Sequence, residues 1–217
     1  MKLIKLYSKE TVDTLLNRTY SLEYEDGKLT TKGRLKEKKE NFQITETTDG
    51  AEDLIKDIYA SLLNSPLSAY CHPKKFTNLR IARYTNGGYY DWHVDETFMR
   101  GTRTDYSFTI FLVDKDTYNG GELVLKTDVG EVAIKGNAGE VLVYPTTLLH
   151  KVNPVTQGDR IVIIGWLESM VKDHFSVDFL FRLRSTIQRL SPLVEGDEEI
   201  QGELDRIVAD AKRIISK

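Results

Sequence analysis

The stretch RYTNGGYYDWHVD, Arg83 to Asp95, holds a strand end, a glycine turn and a second strand-like run that carries His93 and Asp95 two residues apart. Successive side chains of a β-strand point to opposite faces, so an imidazole and a carboxylate at i and i+2 share a face and could grip one ion. Two ligands do not make a site, and the same triplet also describes a surface histidine with an aspartate nearby. Outward from it, Phe76 to Leu167 reads as eight short β-type runs: FTNLRIARY, YYDWHV, YSFTIFLV, ELVLK, EVAI, EVLVY, LHKV and RIVIIGWL. Turn chemistry separates them, at Asn86-Gly87-Gly88, Asn119-Gly120-Gly121, Val129-Gly130, Asn137-Ala138-Gly139 and Gln157-Gly158-Asp159. No helical period interrupts the series, which argues against a parallel βαβ fold and for an antiparallel sandwich or barrel.

The flanks are helical. Ser8 can cap a first helix with Val12, Leu15 and Leu16 on one stripe, and Asp26-Gly27 is a hairpin signal between Leu22/Tyr24 and Leu29. The segment GRLKEKKENF brings Arg34, Lys36, Lys38 and Lys39 close together, as a solvated strand or loop or as a surface for an acidic partner. From Ala51 to Asn64 the residues Leu54, Ile55, Ile58, Tyr59, Leu62 and Leu63 predict an amphipathic helix that lies along a sheet, closed off by Pro66. Beyond Met170, Leu180, Leu183, Ile187 and Leu190 form one helical face ending at Pro192. Ile200, Leu204, Ile207, Val208, Ala211, Ile214 and Ile215 form another. These faces must cover the barrel or a second subunit.

With 217 residues, 29% charged and 40% hydrophobic, the chain has the composition of a globular domain with an extension. A formal net charge of −3 supplies no global basic field, so neither nucleic acid nor an anionic membrane is an expected partner. The lone Cys71 permits no intrachain disulfide, and MKLIKLYSKE is too short in apolar residues for a secretory h-region. A cytoplasmic location is the expectation.

A third ligand candidate is His150, in the late run YPTTLLHKV, which an all-β barrel can fold back beside the first strands. Two histidines and a carboxylate on one face of an ion leave open positions, the arrangement associated with non-haem Fe(II) oxygenases. His72 and His174 read as surface loop residues. Arg160 opens RIVIIGWL, on the same face as Val162, Ile164 and Trp166 and opposite Ile161, Ile163, Gly165 and Leu167. If its face is the barrel interior, the guanidinium needs an anion there. At an exposed strand mouth it would need only water or Asp159.

The order HVD, then His150, then Arg160 ten residues on resembles the iron- and 2-oxoglutarate-dependent dioxygenases. Within them it is similar to the prolyl-4-hydroxylase-like branch and to bacterial PKHD-type hydroxylases. RYTNGGYYDWHVDE, RTDYSFTIFLVDKDTYNGGELVL (Arg103 to Leu125), GNAGEVLVYPTTLLHKVNPVTQGDRIVIIGWLESMVKD (Gly136 to Asp173) and TIQRL (Thr186 to Leu190) carry the likeness. It covers most of the chain and is firmest from Leu79 to Leu190.

The resemblance implies an α+β, mainly β fold: a double-stranded β-helix, or distorted jelly roll, with N-terminal helices and a C-terminal helical extension. Residues 1–172 would be the dioxygenase domain, its core about 76–168, and 173–217 the extension. Fe(II) would be held by His93, Asp95 and His150, and the distal carboxylate of 2-oxoglutarate by Arg160, with Tyr84 lining the co-substrate pocket. Tyr84 is equally readable as a core tyrosine with a satisfied hydroxyl. The implied reaction consumes O2, converts 2-oxoglutarate to succinate and hydroxylates an unactivated C–H bond, with ascorbate as an optional reductant. The substrate would be a prolyl, peptidyl or amino-acid group, or else a small metabolite such as one in iron acquisition. A homo-oligomer through the C-terminal helices is compatible with their faces. Thr109 and Phe111 stand where relatives place a polar residue and receive no role. Glu96 to Thr104, ETFMRGTRT, reads as a flexible lid or a solvated connection. Two other classes fit parts of the pattern: a Zn hydrolase, which leaves Arg160 without a task, and a non-catalytic jelly-roll binding module.

Overall fold

The computed structural model describes residues 1–31, 33–171 and 173–216. The expected boundary residue Lys172 and the terminal Lys217 lie outside the described residues. Strand β1 (Lys2–Lys5) leads to helix α1 (Lys9–Tyr20), capped by Ser8, then to β2 (Glu25–Asp26), β3 (Lys39–Glu40) and β4 (Phe42–Ile44). Helices α2 (Glu52–Leu63) and α3 (Pro66–Cys71) follow. Next come β5 (Pro73–Tyr84), β6 (Tyr89–His93), β7 (Phe98–Met99), β8 (Thr102–Arg103) and β9 (Tyr106–Phe111). After these lie β10 (Asn119–Gly120), β11 (Leu123–Thr127), β12 (Gly130–Ile134), β13 (Glu140–Pro145), β14 (His150–Val152), β15 (Val155–Gln157) and β16 (Arg160–Ser169). Helices α4 (His174–Leu190) and α5 (Glu198–Ile215) close the chain. The eight expected runs are β5, β6, β9, β11, β12, β13, β14 and β16.

The strands form a seven-stranded sheet, β1-β13-β9-β16-β5-β4-β2, and a five-stranded sheet, β12-β11-β14-β6-β3, with antiparallel pairing throughout. The inner faces meet through Ala82, Tyr84, Phe111, Leu123, Leu125, Leu142, Tyr144, Val152 and Val162. The outer face of the larger sheet packs Ile81, Phe108, Ile110, Ile161, Ile163 and Leu167 against Val12 and Leu15 of α1 and Leu54, Ile55, Ile58 and Leu62 of α2. This is the distorted jelly roll. The larger sheet is covered on both sides, so β9 is buried at every position, the polar Ser107 and Thr109 included, and β16 at all but two. Ile58 is 1% exposed at the helix-to-sheet contact. Ile58→Ala is expected to cost about 3 kcal/mol and lower the melting temperature by about 6–12 °C, read by a thermal melt.

Several local expectations are corrected. Asp26-Gly27 does not turn a hairpin: β2 pairs with β4, and a 3-10 turn over Gly27–Thr30 starts there. Asp26 caps that turn by accepting from the Lys28 N–H at 2.8 Å. A Cβ at 27 would run into the Asn41 side-chain amide and stand 2.9 Å from the Asn41 backbone carbonyl, so glycine suits the position. Pro66 opens α3 at its first turn, behind Ser65, where its missing N–H has no helical partner to lose. Leu63 falls off the α2 stripe and is exposed. His72 is buried, in the left-handed cap of α3, and burial pushes its imidazole down to about 4. His174 is exposed, as expected, and its ring meets Tyr106 edge-on.

Residues 96–104 are not an irregular loop. They fold as the ribbon β7–β8, whose tip residues Arg100 and Gly101 take φ of 50° and 73°, the positive values a tight two-residue turn demands. Arg100, which lines the cavity, pairs with Glu46, and Arg103 chelates Asp105 at 2.8 and 2.9 Å. At the other end of the chain, Val177 and Leu180 of α4 join the main core, with Phe181 edge-on to Tyr70 at 5.2 Å. Helix α5 rests on α4 and buries none of its residues fully. Among the described residues no helix is long and apolar enough to cross a membrane.

Candidate active site

β6 and β14 are neighbours in the smaller sheet, and their register sets His93 directly opposite His150. Asp95 lies two residues past the end of β6 and still turns its carboxylate to the same point. One ligand atom from each of His93, Asp95 and His150 falls within 4.8 Å of the others. His93 Nε2 is 3.7 Å from Asp95 Oδ1, and His150 Nε2 is 3.6 Å from Asp95 Oδ2. Each ring is fixed from behind: Nδ1 of His93 donates to the Asp91 carbonyl at 2.8 Å and Nδ1 of His150 to the Leu148 carbonyl at 2.9 Å. A carbonyl only accepts, so these bonds place a proton on Nδ1 and turn both Nε2 atoms to the centre. Burial, then the neighbouring His150, push the His93 imidazole down to about 4, so it is neutral at neutral pH.

Asp95 is also held. Ser107 Oγ and Trp166 Nε1 donate to its Oδ2 at 2.8 and 2.9 Å. Tyr90 stacks on His93 at 3.6 Å and Tyr144 meets His150 edge-on at 5.2 Å. The three groups open into a cavity of about 360 Å³ between the sheets.

Arg160 lines the same cavity and is 1% exposed. Its register partner is Tyr84, and its guanidinium lies over the rings of Tyr84 at 5.0 Å and Phe111 at 5.9 Å. Nε and Nη1 are buried without a hydrogen-bond partner. Asp159, the alternative partner, is engaged by Arg83 at 2.5 and 3.0 Å. Tyr84 is 3% exposed in the cavity wall.

The sequence profile of the 2OG-Fe(II) oxygenase superfamily matches residues 79–168. A PKHD-type hydroxylase of Prochlorococcus marinus strain AS9601 is 37% identical over 182 residues, covering 82% of each chain. One from Picosynechococcus sp. strain PCC 7002 is 33% identical over 218 residues, covering 100% of this chain and 99% of its own. The chain belongs to the PKHD-type hydroxylases of the 2OG-Fe(II) oxygenase superfamily. The fold of this hydroxylase recurs in a Pseudomonas putida prolyl-4-hydroxylase, with a TM-score of 0.54 and 16% identity over 77% of this chain and 91% of that one. It recurs also in HygX from Streptomyces hygroscopicus, with a TM-score of 0.57 and 12% identity over 79% and 84%. The enzyme is an oxygenase that uses Fe(II) and 2-oxoglutarate, and its cavity suits both. Two imidazole nitrogens and a carboxylate are the donor set of a non-haem iron centre, and a buried guanidinium with idle N–H groups calls for a carboxylate.

The cavity also holds residues that sequence reasoning missed. Lys39, expected in a solvated segment, is 2% exposed: β3 pairs with β6, Lys39 opposite Tyr90, which turns it inward. Its Nζ donates to Thr30 Oγ1 at 3.0 Å and lies 5.0 Å from the Tyr90 ring. Arg80 of β5 also lines the space. Ser107 gave no signal in the sequence, whereas Trp166 had already been set on the face of Arg160 by alternation.

Burial, with the charge of Arg80 adding to it, pushes the Lys39 ammonium down to about 7. Its folded pKa therefore lies below the ordinary 10.5. Between these values the unfolded chain holds a proton that the folded chain has released, so stability rises with pH; below about 7 the cost of burial is fully present. Lys39→Met is expected to stabilise the metal-free protein at pH 7 by on the order of 3 kcal/mol, with the gain fading towards pH 10. Thermal melts of both proteins across that range check it.

Proposed function

We propose that His93, Asp95 and His150 hold the Fe(II), and that Arg160, with Tyr84 beside it, receives the distal carboxylate of 2-oxoglutarate. The enzyme would then hydroxylate an unactivated C–H bond of a prolyl, peptidyl or amino-acid substrate, with decarboxylation of 2-oxoglutarate to succinate. The observation that carries this reading is the buried guanidinium of Arg160, with Nε and Nη1 lacking a hydrogen-bond partner among the described residues, in the cavity that also contains the three ligand atoms. When bound, iron and co-substrate supply the oxidising power for C–H cleavage. The chain's own part is to position and to exclude water. Ser107 and Trp166 keep the Asp95 carboxylate turned to the centre, the Asp91 and Leu148 carbonyls hold the imidazoles, and Arg160 sets the direction of the dicarboxylate. In this reading residues 1–172 are the oxygenase domain and 173–217 a helical extension, since no described residue of α4 or α5 lines the cavity.

The peptidyl substrate draws support from the fold likeness to a Trichoplax adhaerens prolyl hydroxylase in complex with a hypoxia-inducible-factor peptide fragment, with a TM-score of 0.56 and 20% identity. A small-molecule acceptor is the second reading, supported by HygX, whose structure holds nickel, 2-oxoglutarate and hygromycin B. Anaerobically purified protein given Fe(II), 2-oxoglutarate and oxygen should release succinate even without its acceptor. Failure to bind 2-oxoglutarate, with Zn-dependent hydrolysis in its place, would overturn the reading.

A further inference from the structure

We propose that Lys39 and Arg80 form an anion subsite for the acceptor substrate, so that the molecule hydroxylated carries a carboxylate or phosphate group apart from the reacting carbon. This rests on the assignment of the triad and Arg160 made above, and it adds the chemistry of the missing substrate.

The two cations reach the cavity from opposite sheets, Lys39 from β3 and Arg80 from β5. Lys39 is almost wholly buried, yet among the described residues only one of its three ammonium protons has a hydrogen-bond partner, Thr30 Oγ1. Arg80 spreads its guanidinium over Trp166 at 5.6 Å, and among the described residues that guanidinium has no hydrogen bond or ion pair. The carboxylates of the surroundings are otherwise engaged. Asp95 is committed to Ser107, Trp166 and the metal position. Glu46 holds Arg100 and accepts from the Tyr59 hydroxyl. Glu96 stands exposed at the mouth. Asp95 and Asp26 attract Lys39, and Asp95 and Glu96 attract Arg80, only from a distance, and among the described residues no carboxylate is in ion-pair contact with either cation. Two like charges facing one low-dielectric space are costly unless an anion joins them.

That anion is not the one Arg160 awaits. Arg160 is bracketed by Tyr84 and Phe111, whereas Lys39 touches Thr30 and Tyr90, and Arg80 touches Trp166. The second set abuts the triad directly, because Tyr90 stacks on His93 and Trp166 bonds Asp95. A group anchored there leaves its neighbouring carbons beside the metal position, as an acceptor requires. The subsite is also built on rigid parts, with Lys39 in a strand paired to β6 and Arg80 in the middle of the long β5.

The test is a binding titration. Protein loaded with Zn(II) and the inert co-substrate analogue N-oxalylglycine is titrated with sodium acetate or inorganic phosphate at constant ionic strength, following tryptophan fluorescence. Saturable binding of at least one anion is expected, weakened about tenfold or more in Arg80→Met and in Lys39→Met and unchanged in the exposed control Lys36→Met. The preferred anion tells a carboxylate from a phosphate. No saturable response, or equal binding in all variants, overturns the proposal. Should Zn(II) and N-oxalylglycine themselves fail to bind, the assignment of the triad and Arg160 falls instead. The anion titration on metal-free protein then still shows whether binding depends on Lys39 and Arg80.

Discussion

Asp95→Ala is expected to abolish stoichiometric Fe(II) binding and to lower 2-oxoglutarate turnover by on the order of a thousandfold or more, while the protein stays folded. Asp95 is the one carboxylate of the triad, so its loss leaves only the two imidazoles facing a divalent ion in a buried space. The imidazoles keep their orientation, since the Asp91 and Leu148 carbonyls hold them independently of the carboxylate. The change also orphans the Ser107 hydroxyl and the Trp166 N–H. A stability cost of roughly 1–3 kcal/mol therefore accompanies it, too little to unfold the chain. Trp166→Phe separates the two effects: it keeps the ligand but frees half of its restraint, and should weaken iron binding or turnover by about 10–100-fold. Metal content after gel filtration, succinate release and thermal melts distinguish the outcomes. Full iron binding by Asp95→Ala would remove the triad from the centre.

Arg160→Lys is expected to raise the concentration of 2-oxoglutarate needed for half-maximal turnover by about 30–100-fold and to leave Fe(II) affinity unchanged. The guanidinium is pinned between Tyr84 and Phe111 and offers a planar fork that can meet both oxygens of a carboxylate. An ammonium keeps the charge but presents a point donor on a different stem, so part of the attraction survives and the bidentate geometry does not. Co-substrate titrations at saturating iron, with a separate iron titration, make the test. An unchanged co-substrate dependence would show that the carboxylate is held elsewhere.

Much of this was legible along the chain. Eight β-type runs divided by turns, with no helical period between them, argued for an antiparallel β structure, and period-two alternation along RIVIIGWL set Arg160 on the face opposite Ile161 and Ile163. That division is the one found: Arg160 and Val162 face the space between the sheets, and Ile161 and Ile163 face the helices. The ribbon β7–β8 was hidden because two-residue strands carry no period, and its polar letters read as a loop. Lys39 was hidden for the same reason. Within a run of lysines it looks solvated, and only its pairing with Tyr90 turns it inward. His72 reads as a loop histidine because nothing local reports that α3 ends beneath other elements.

Residue types and their spacing determined the class of fold, the identity of the three ligand candidates and the inward face of the arginine, because strand alternation and donor chemistry are local properties. Which charges share the cavity was decided by tertiary structure alone. Lys39, Arg80 and Trp166 are separated by 41 and 86 positions and meet across two sheets. Their convergence depends on strand register, which the pairing of distant segments sets and no short window of sequence contains.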